Sequence, residues 1–252
     1  MAEDQFDESL REAEQGGWSY VELLDRLFSR QALQKRERGI QRRIREARFP
    51  GNKTLENFDW AFNAHAIERA QIEELATGDF VRRGDNLLMV GQSGIGKSHL
   101  LEGIARRACQ DYRIRYIASD TLLAELGASL ADGTTVQCIR AFLRPDLLII
   151  DGFGFDRIER EQSPQALSLI YKVIEKRGPR RSTALITNID FDAWNEYLHD
   201  GPLVMALLDR LFEKAIIMRF PEAKSYRAHQ ARNVSSKGQP ASPKQPGASN
   251  HG

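Results

Sequence analysis

The chain carries only two cysteines, Cys109 and Cys138, in 252 residues. They provide neither a disulfide framework nor a metal-ligand spacing, and they suit a reduced compartment. An excess of either charge is also missing: 36 Lys and Arg stand against 35 Asp and Glu, so the total points to no partner. No apolar run reaches the length needed to cross a bilayer. The acidic N-terminus has no apolar h-region, which argues against a secretory signal. No internal repeat is visible, which argues against a repeat architecture. What remains is enough chain for one α/β domain with appendages, expected to be cytoplasmic and without a membrane partner.

The charge that is present is unevenly placed. Residues 1–15 carry six acids with Arg11 as their only base, whereas 35–48 carry seven Lys or Arg against Glu37 and Glu46. A basic run of this kind suits nucleic acid or an acidic partner surface, and equally a solvated helix face. Ser19 and Glu22 form a capping-box signature, and Val21, Leu23, Leu24, Leu27, Phe28 and Leu33 recur at helical spacing. A helical region is therefore predicted over 18–48, weakened at Gly39 by a bend or a break. Residues 1–48 read as an N-terminal helical, partner-binding region, followed by a linker over 49–57 with Pro50 and Gly51 as stop signals.

From 58 to 228 the pattern alternates between strands and helices. Strands are predicted at 86–90, 114–118, 147–150, 183–187 and 215–219, short and apolar as strands buried on both faces are. The alternation predicts a parallel five-stranded sheet with helices on both faces. Residues 229–252, rich in Ser, Gly, Pro and Gln, are expected to be a disordered tail.

The most specific motif is Gly91-Gln92-Ser93-Gly94-Ile95-Gly96-Lys97-Ser98, which matches G-x-x-x-x-G-K-[ST] between a predicted strand and a predicted helix. Glycines let the backbone curl its N–H groups toward phosphate oxygens, and the following helix turns its positive end to the same anion. Lys97, expected to be exposed, suits the β- and γ-phosphates of ATP, and the Ser98 hydroxyl suits Mg²⁺. The motif predicts a P-loop nucleotide site.

Leu147 to Ile150 form an apolar run ending in Asp151, which would carry a carboxylate to the tip of a buried strand to hold Mg²⁺. The next residue, Gly152, cannot orient a water molecule. Either Asp156 or Glu159 reaches back along the loop that begins at Gly152 and Gly154, or hydrolysis is slow.

Three further residues have two readings each. Asn188, at the end of the fourth strand, would sit near the γ-phosphate, or it starts a turn. Arg210, ahead of the fifth strand, could complete a neighbouring subunit's nucleotide site, or pair with Asp209 or Glu213 on its own helix. Arg227 could turn back toward the phosphates, or be a solvated tail arginine.

With these residues in view, the chain resembles the IstB-like ATP-binding proteins, helper ATPases of transposition related to the DnaC-type helicase loaders within AAA+. The resemblance covers about 18–228, and its most specific pieces include Phe58-Asp59, Gly78-Asp79, Gly91 to Leu100 and Ser225-Tyr226-Arg227. It implies a P-loop NTPase core of AAA+ type with a reduced helical lid. It implies ATP and Mg²⁺ at Gly91 to His99 and Asp151, with Lys97, Ser98 and Asp151 acting in one subunit and Arg210 reaching in from the next. It further implies a homo-oligomer on double-stranded DNA and a transposase as partner, with Arg140, Arg144 and the Leu130–Thr135 loop facing the DNA. Two residues depart from the family pattern: Gly152 stands where an acid is usual, and Ala223 where glycine is usual. A helicase loader, a non-hydrolysing nucleotide-binding scaffold and a small-molecule kinase are the competing functions. The kinase has against it the lack of an arginine-rich lid to close over an acceptor.

Overall fold

The computed structural model describes residues 3–153, 165–194 and 201–230. Gly154, Asp156 and Glu159 lie outside them, as do 231–252 of the C-terminal tail.

Five parallel strands form one sheet in the order β2-β3-β4-β1-β5. They are β1 (Asn86–Val90), β2 (Ile114–Ala118), β3 (Leu147–Phe153), β4 (Ser182–Thr187) and β5 (Ala215–Arg219). The apolar runs form the sheet because each has a covered face on either side. Leu87, Met89, Ile149 and Ile186 face one layer of helices, and Leu88, Leu148, Ile150 and Leu185 face the other. The first layer holds α3 (Arg69–Ala76), α4 (Asp79–Arg83) and α5 (Lys97–Ala108). The second holds α6 (Ser119–Ala131), α7 (Thr135–Leu143), α8 (Ala166–Arg177) and α9 (Gly201–Phe212). The α/β class, the parallel sheet and the helices on both faces are as the sequence predicts.

β3 differs from the expectation by running on to Phe153, past Asp151 and Gly152. Its pairing with β4 skips from Ile150↔Leu185 to Phe153↔Thr187, which places one extra residue in β3, a bulge. Gly152 supplies it with φ +78°, a conformation that side chains other than glycine resist.

Ahead of the core lie α1 (Glu3–Gly16) and α2 (Tyr20–Glu46). The Ser19–Glu22 capping box forms at the start of α2. Gly39 neither breaks nor ends this helix, because one glycine costs only about 1 kcal/mol and strong helix formers flank it. The acidic start of the N-terminal region is the helix α1, which packs Ala13 inward and bonds Ser9 Oγ to Arg30 of α2 at 3.1 Å.

The end of α2 belongs to the packing of the core. Ala47 is fully buried and its carbonyl accepts from Tyr116 N at 2.8 Å, capping the edge of β2. Residues 51–58 then lie along α5: Lys53 N donates to Glu102 at 3.1 Å, and His99 Nε2 is 2.9 Å from Thr54 O. Leu55 packs so closely on Gly103 that a Cβ there would lie 2.7 Å from it. After β5, residues 226–230 are helical, with His229 N bonded to Ser225 O at 3.1 Å, so the helix runs into the start of the segment expected as tail.

Candidate nucleotide-binding site

All strand pairings are parallel, so the C-terminal ends of the strands share one edge of the sheet. Ligands of such sheets bind in the crevice outside those ends. Three of the ends carry residues singled out from the sequence: the Gly91 loop after β1, Asp151 in β3 and Asn188 after β4. A cavity of about 490 Å³ opens there. Ser93 to His99, Asp151, Gly152, Asn188 and Arg227 line it.

The loop leads directly into α5, whose N-cap is Gly96 at φ +107°. A Cβ at this residue would lie 2.8 Å from the ring of Phe58, so backbone conformation and neighbour both require glycine. The unpaired N–H groups of the first turn of α5 thus face the cavity, beside Ser98 and Lys97.

Lys97, expected from the sequence to be exposed, is only 5% exposed. Its ammonium donates to the carbonyls of Gly91 and Gln92, the latter at 2.8 Å, and to Asn188 Oδ1 at 2.8 Å. Gly91 and Gln92 therefore act at the root of the loop, behind the cavity wall, as acceptors for the lysine. Burial pushes the Lys97 ammonium down to about 8, against the attraction of Asp151 and with the repulsion of Arg227. A polyphosphate offers a buried ammonium a far stronger partner than neutral carbonyls.

Asp151 is held at both oxygens. Ser98 Oγ donates to Oδ1 at 3.1 Å, and the Tyr116 hydroxyl donates to Oδ2. Ser98 and Asp151 together offer hard oxygen donors with a single carboxylate, the set that Mg²⁺ takes when phosphate and water complete its shell. Among the described residues no cluster of three His, Cys, Asp or Glu offers a rival metal site.

The opposite wall was only partly legible, since the resemblance picks out Phe58, Asp59 and Tyr226 but assigns them no place in the cavity. Asn57, Phe58, Asp59, Phe62, Asn63 and Tyr226 line the cavity there. Asn63 clasps the segment after β5 by two bonds of 3.0 Å to the backbone of Lys224, and Phe62 meets Tyr226 edge-on at 5.0 Å. Tyr226 N bonds Gly94 O at 2.9 Å, which docks this segment on the loop and leaves Arg227 beside it. His99 holds the wall in place, with Nε2 2.7 Å from Asn57 Oδ1 and its ring edge-on to Phe58.

Arg210 lies elsewhere. Asn86, the first residue of β1, donates to the Leu211 carbonyl at 3.0 Å, so the end of α9 sits at the opposite pole of the sheet from the phosphate loop. Its guanidinium is half exposed and 3.5 Å from Glu213. Arg140 and Arg144 are exposed on and just after α7. The expected 130–135 loop is shorter, because Leu130 belongs to α6 and Thr135 starts α7.

No helix among the described residues is long and apolar enough to cross a membrane. The family model described as IstB-like ATP binding protein matches residues 1–234. The ATP-binding protein of insertion sequence IS5376 from Geobacillus stearothermophilus is 33% identical over 85% of this chain and 83% of its own length. That of insertion sequence IS21 from Pseudomonas aeruginosa is 29% identical over 89% of this chain and 83% of its own. Among solved structures, DnaI superposes with a TM-score of 0.54 at 19% identity, over 67% of this chain and 90% of that one. AMPPCP-bound DnaA from Aquifex aeolicus superposes with a TM-score of 0.55 at 18% identity, over 75% of this chain and 56% of that one. At such identities these likenesses show the fold alone, a parallel five-stranded sheet with helices on both faces. The sequence matches go further: the chain belongs to the family of IstB-like ATP binding proteins.

Proposed function

We propose that the chain is an ATP-dependent DNA-binding helper ATPase of transposition, which assembles on target DNA in the cytoplasm and stimulates a partner transposase. The observation that carries the nucleotide half is the convergence of Lys97, Ser98, Asp151 and Asn188 on one cavity at the helix N-terminus of α5. Family membership supports the transposition half.

In this reading the loop N–H groups and Lys97 hold the phosphates, and the aromatic wall of Phe58, Phe62 and Tyr226 faces the rest of the nucleotide. Ser98 and Asp151 hold Mg²⁺, which offsets phosphate charge when bound. Asn188 gives up Lys97 and turns its amide to the γ-phosphate or the attacking water, and Arg227 supplies positive charge from the segment after β5. Arg210, at the far pole, serves the next subunit's ATP and builds the homo-oligomer. With glycine next to Asp151, hydrolysis is slow and the ATP-bound assembly is the working state.

ATP turnover measured alone, with duplex DNA and with candidate small-molecule acceptors tests the reading. Stimulation by DNA and none by an acceptor is expected. Turnover that requires an acceptor would make the chain a kinase instead.

A further inference from the structure

Tyr116 belongs to none of the loop motifs, yet its hydroxyl donates to Asp151 Oδ2 while Ser98 holds Oδ1. The contact follows from register. β2 and β3 pair with Ala118 opposite Asp151 and Tyr116 opposite Ile149, so residues 116 and 151 share a face of the sheet as diagonal neighbours. A phenol spans that diagonal and a shorter side chain does not. Tyr116 is also fixed from behind: its N–H bonds the Ala47 carbonyl at 2.8 Å, and its ring meets Phe49 edge-on at 6.1 Å. One buried residue thus reaches from the end of α2 to the carboxylate.

We propose that Tyr116 is a positioning residue for the Mg²⁺-holding carboxylate, fixing the rotation of Asp151 and tying it to the end of α2. The proposal rests on the reading of Ser98 and Asp151 as the Mg²⁺ side of the ATP site. The phenol occupies Oδ2 and leaves Oδ1 turned to Ser98, where a hard cation would sit. Without the phenol, Oδ2 loses its only protein donor among the described residues and the carboxylate rotates more freely. Cation binding then weakens, whereas metal-free ATP binding, which depends on the loop and Lys97, stays as it was.

The test is ATP affinity of the full chain titrated with Mg²⁺ and in EDTA, for wild type, Tyr116→Phe and Asp151→Asn. Asp151→Asn is expected to lose nearly all of the gain from Mg²⁺. Tyr116→Phe is expected to keep its affinity in EDTA and to need about tenfold more Mg²⁺ for half of the gain, the loss of one charge-assisted hydrogen bond. A folded Tyr116→Phe with wild-type Mg²⁺ dependence, beside an impaired Asp151→Asn, overturns the positioning role and leaves the site reading intact. Wild-type dependence in both variants sinks the site reading itself. If Tyr116→Phe does not fold, 3-fluorotyrosine placed at 116 alone keeps the hydroxyl. Its fluorine resonance is expected to move when Mg²⁺ is added to the ATP complex, and not when Asp151→Asn is also present; a resonance indifferent to Mg²⁺ overturns the proposal.

Discussion

The ammonium of Lys97 lies 2.8 Å from the side-chain amide oxygen of Asn188, joining the loop after β1 to the end of β4. The residue expected to bind phosphate is therefore already ordered, satisfied and buried, and phosphate binding exchanges one set of oxygen partners for another.

This exchange makes nucleotide affinity depend on pH. Burial holds Lys97 at about 8, below its ordinary 10.5, and a bound polyphosphate favours the charged form and raises it. Binding takes up a proton wherever the pH exceeds the lower value, so ATP affinity is expected to fall as pH rises from about 8. Folding has the opposite sign: between about 8 and 10.5 the unfolded chain binds more protons at this lysine, so its contribution to stability rises with pH. Calorimetry in buffers of different ionisation enthalpy checks the proton uptake. Lys97→Ala is expected to lose ATP affinity at least about tenfold and to lose the uptake.

Gly152 is expected to resist substitution. Its φ of +78° in a bulge disfavours any Cβ, so Gly152→Ala should cost about 1–2 kcal/mol and lower Tm by a few degrees. Gly152→Glu carries the same strain and places an acid next to Asp151. A missing water-orienting group costs about 10²–10⁴ in rate, so turnover of this variant, measured below its Tm, should rise at least about tenfold. No rise in a folded variant would mean that the missing acid does not limit the rate.

Much of this site was legible because its chemistry is local. The loop needs its glycines, lysine and serine within eight consecutive residues, and β3 announces Asp151 by an apolar run ahead of it. The strands were legible for a similar reason, since β1, β3 and β5 are built on local apolar runs, Leu87 to Val90, Leu147 to Ile150 and Ala215 to Met218. What was hidden depends on distant pairings. Tyr116 meets Asp151 only through the register of β2 on β3, and the Asn63–Lys224 clasp joins segments that no local pattern connects. The burial of Lys97 has no local signal either, because it depends in part on Asn188, which arrives from the end of β4.

The end of α2 sets where the N-terminal region can be cut. Removing residues 1–38 leaves Arg43 bonded to the Cys109 carbonyl at 2.6 Å and Ala47 to Tyr116, so folding and ATP binding are expected to survive. Removing 1–48 bares the edge of β2 and is expected to lower Tm by several degrees more. Thermal unfolding of the two truncations decides; equal stability would show that the contacts of α2 with the core contribute nothing.

Arg210→Ala is expected to bind ATP normally, because the residue stands at the opposite pole from its own loop. Its assemblies should hydrolyse ATP about 10³-fold more slowly. Mixing it with Lys97→Ala pairs an intact loop with an intact arginine at some interfaces and should restore part of the activity. Full activity of Arg210→Ala alone would return the residue to its surface pairing with Glu213.

The central claim is that ATP in the Lys97 cavity drives assembly on DNA. Mass photometry of the wild-type chain on duplex DNA, with ATP, with ADP and without nucleotide, tests it most directly. A multimer on DNA with ATP that dissolves with ADP and weakens steeply with salt is expected, since Lys and Arg would displace phosphate counterions. Equal DNA-bound mass in all three states would contradict the account.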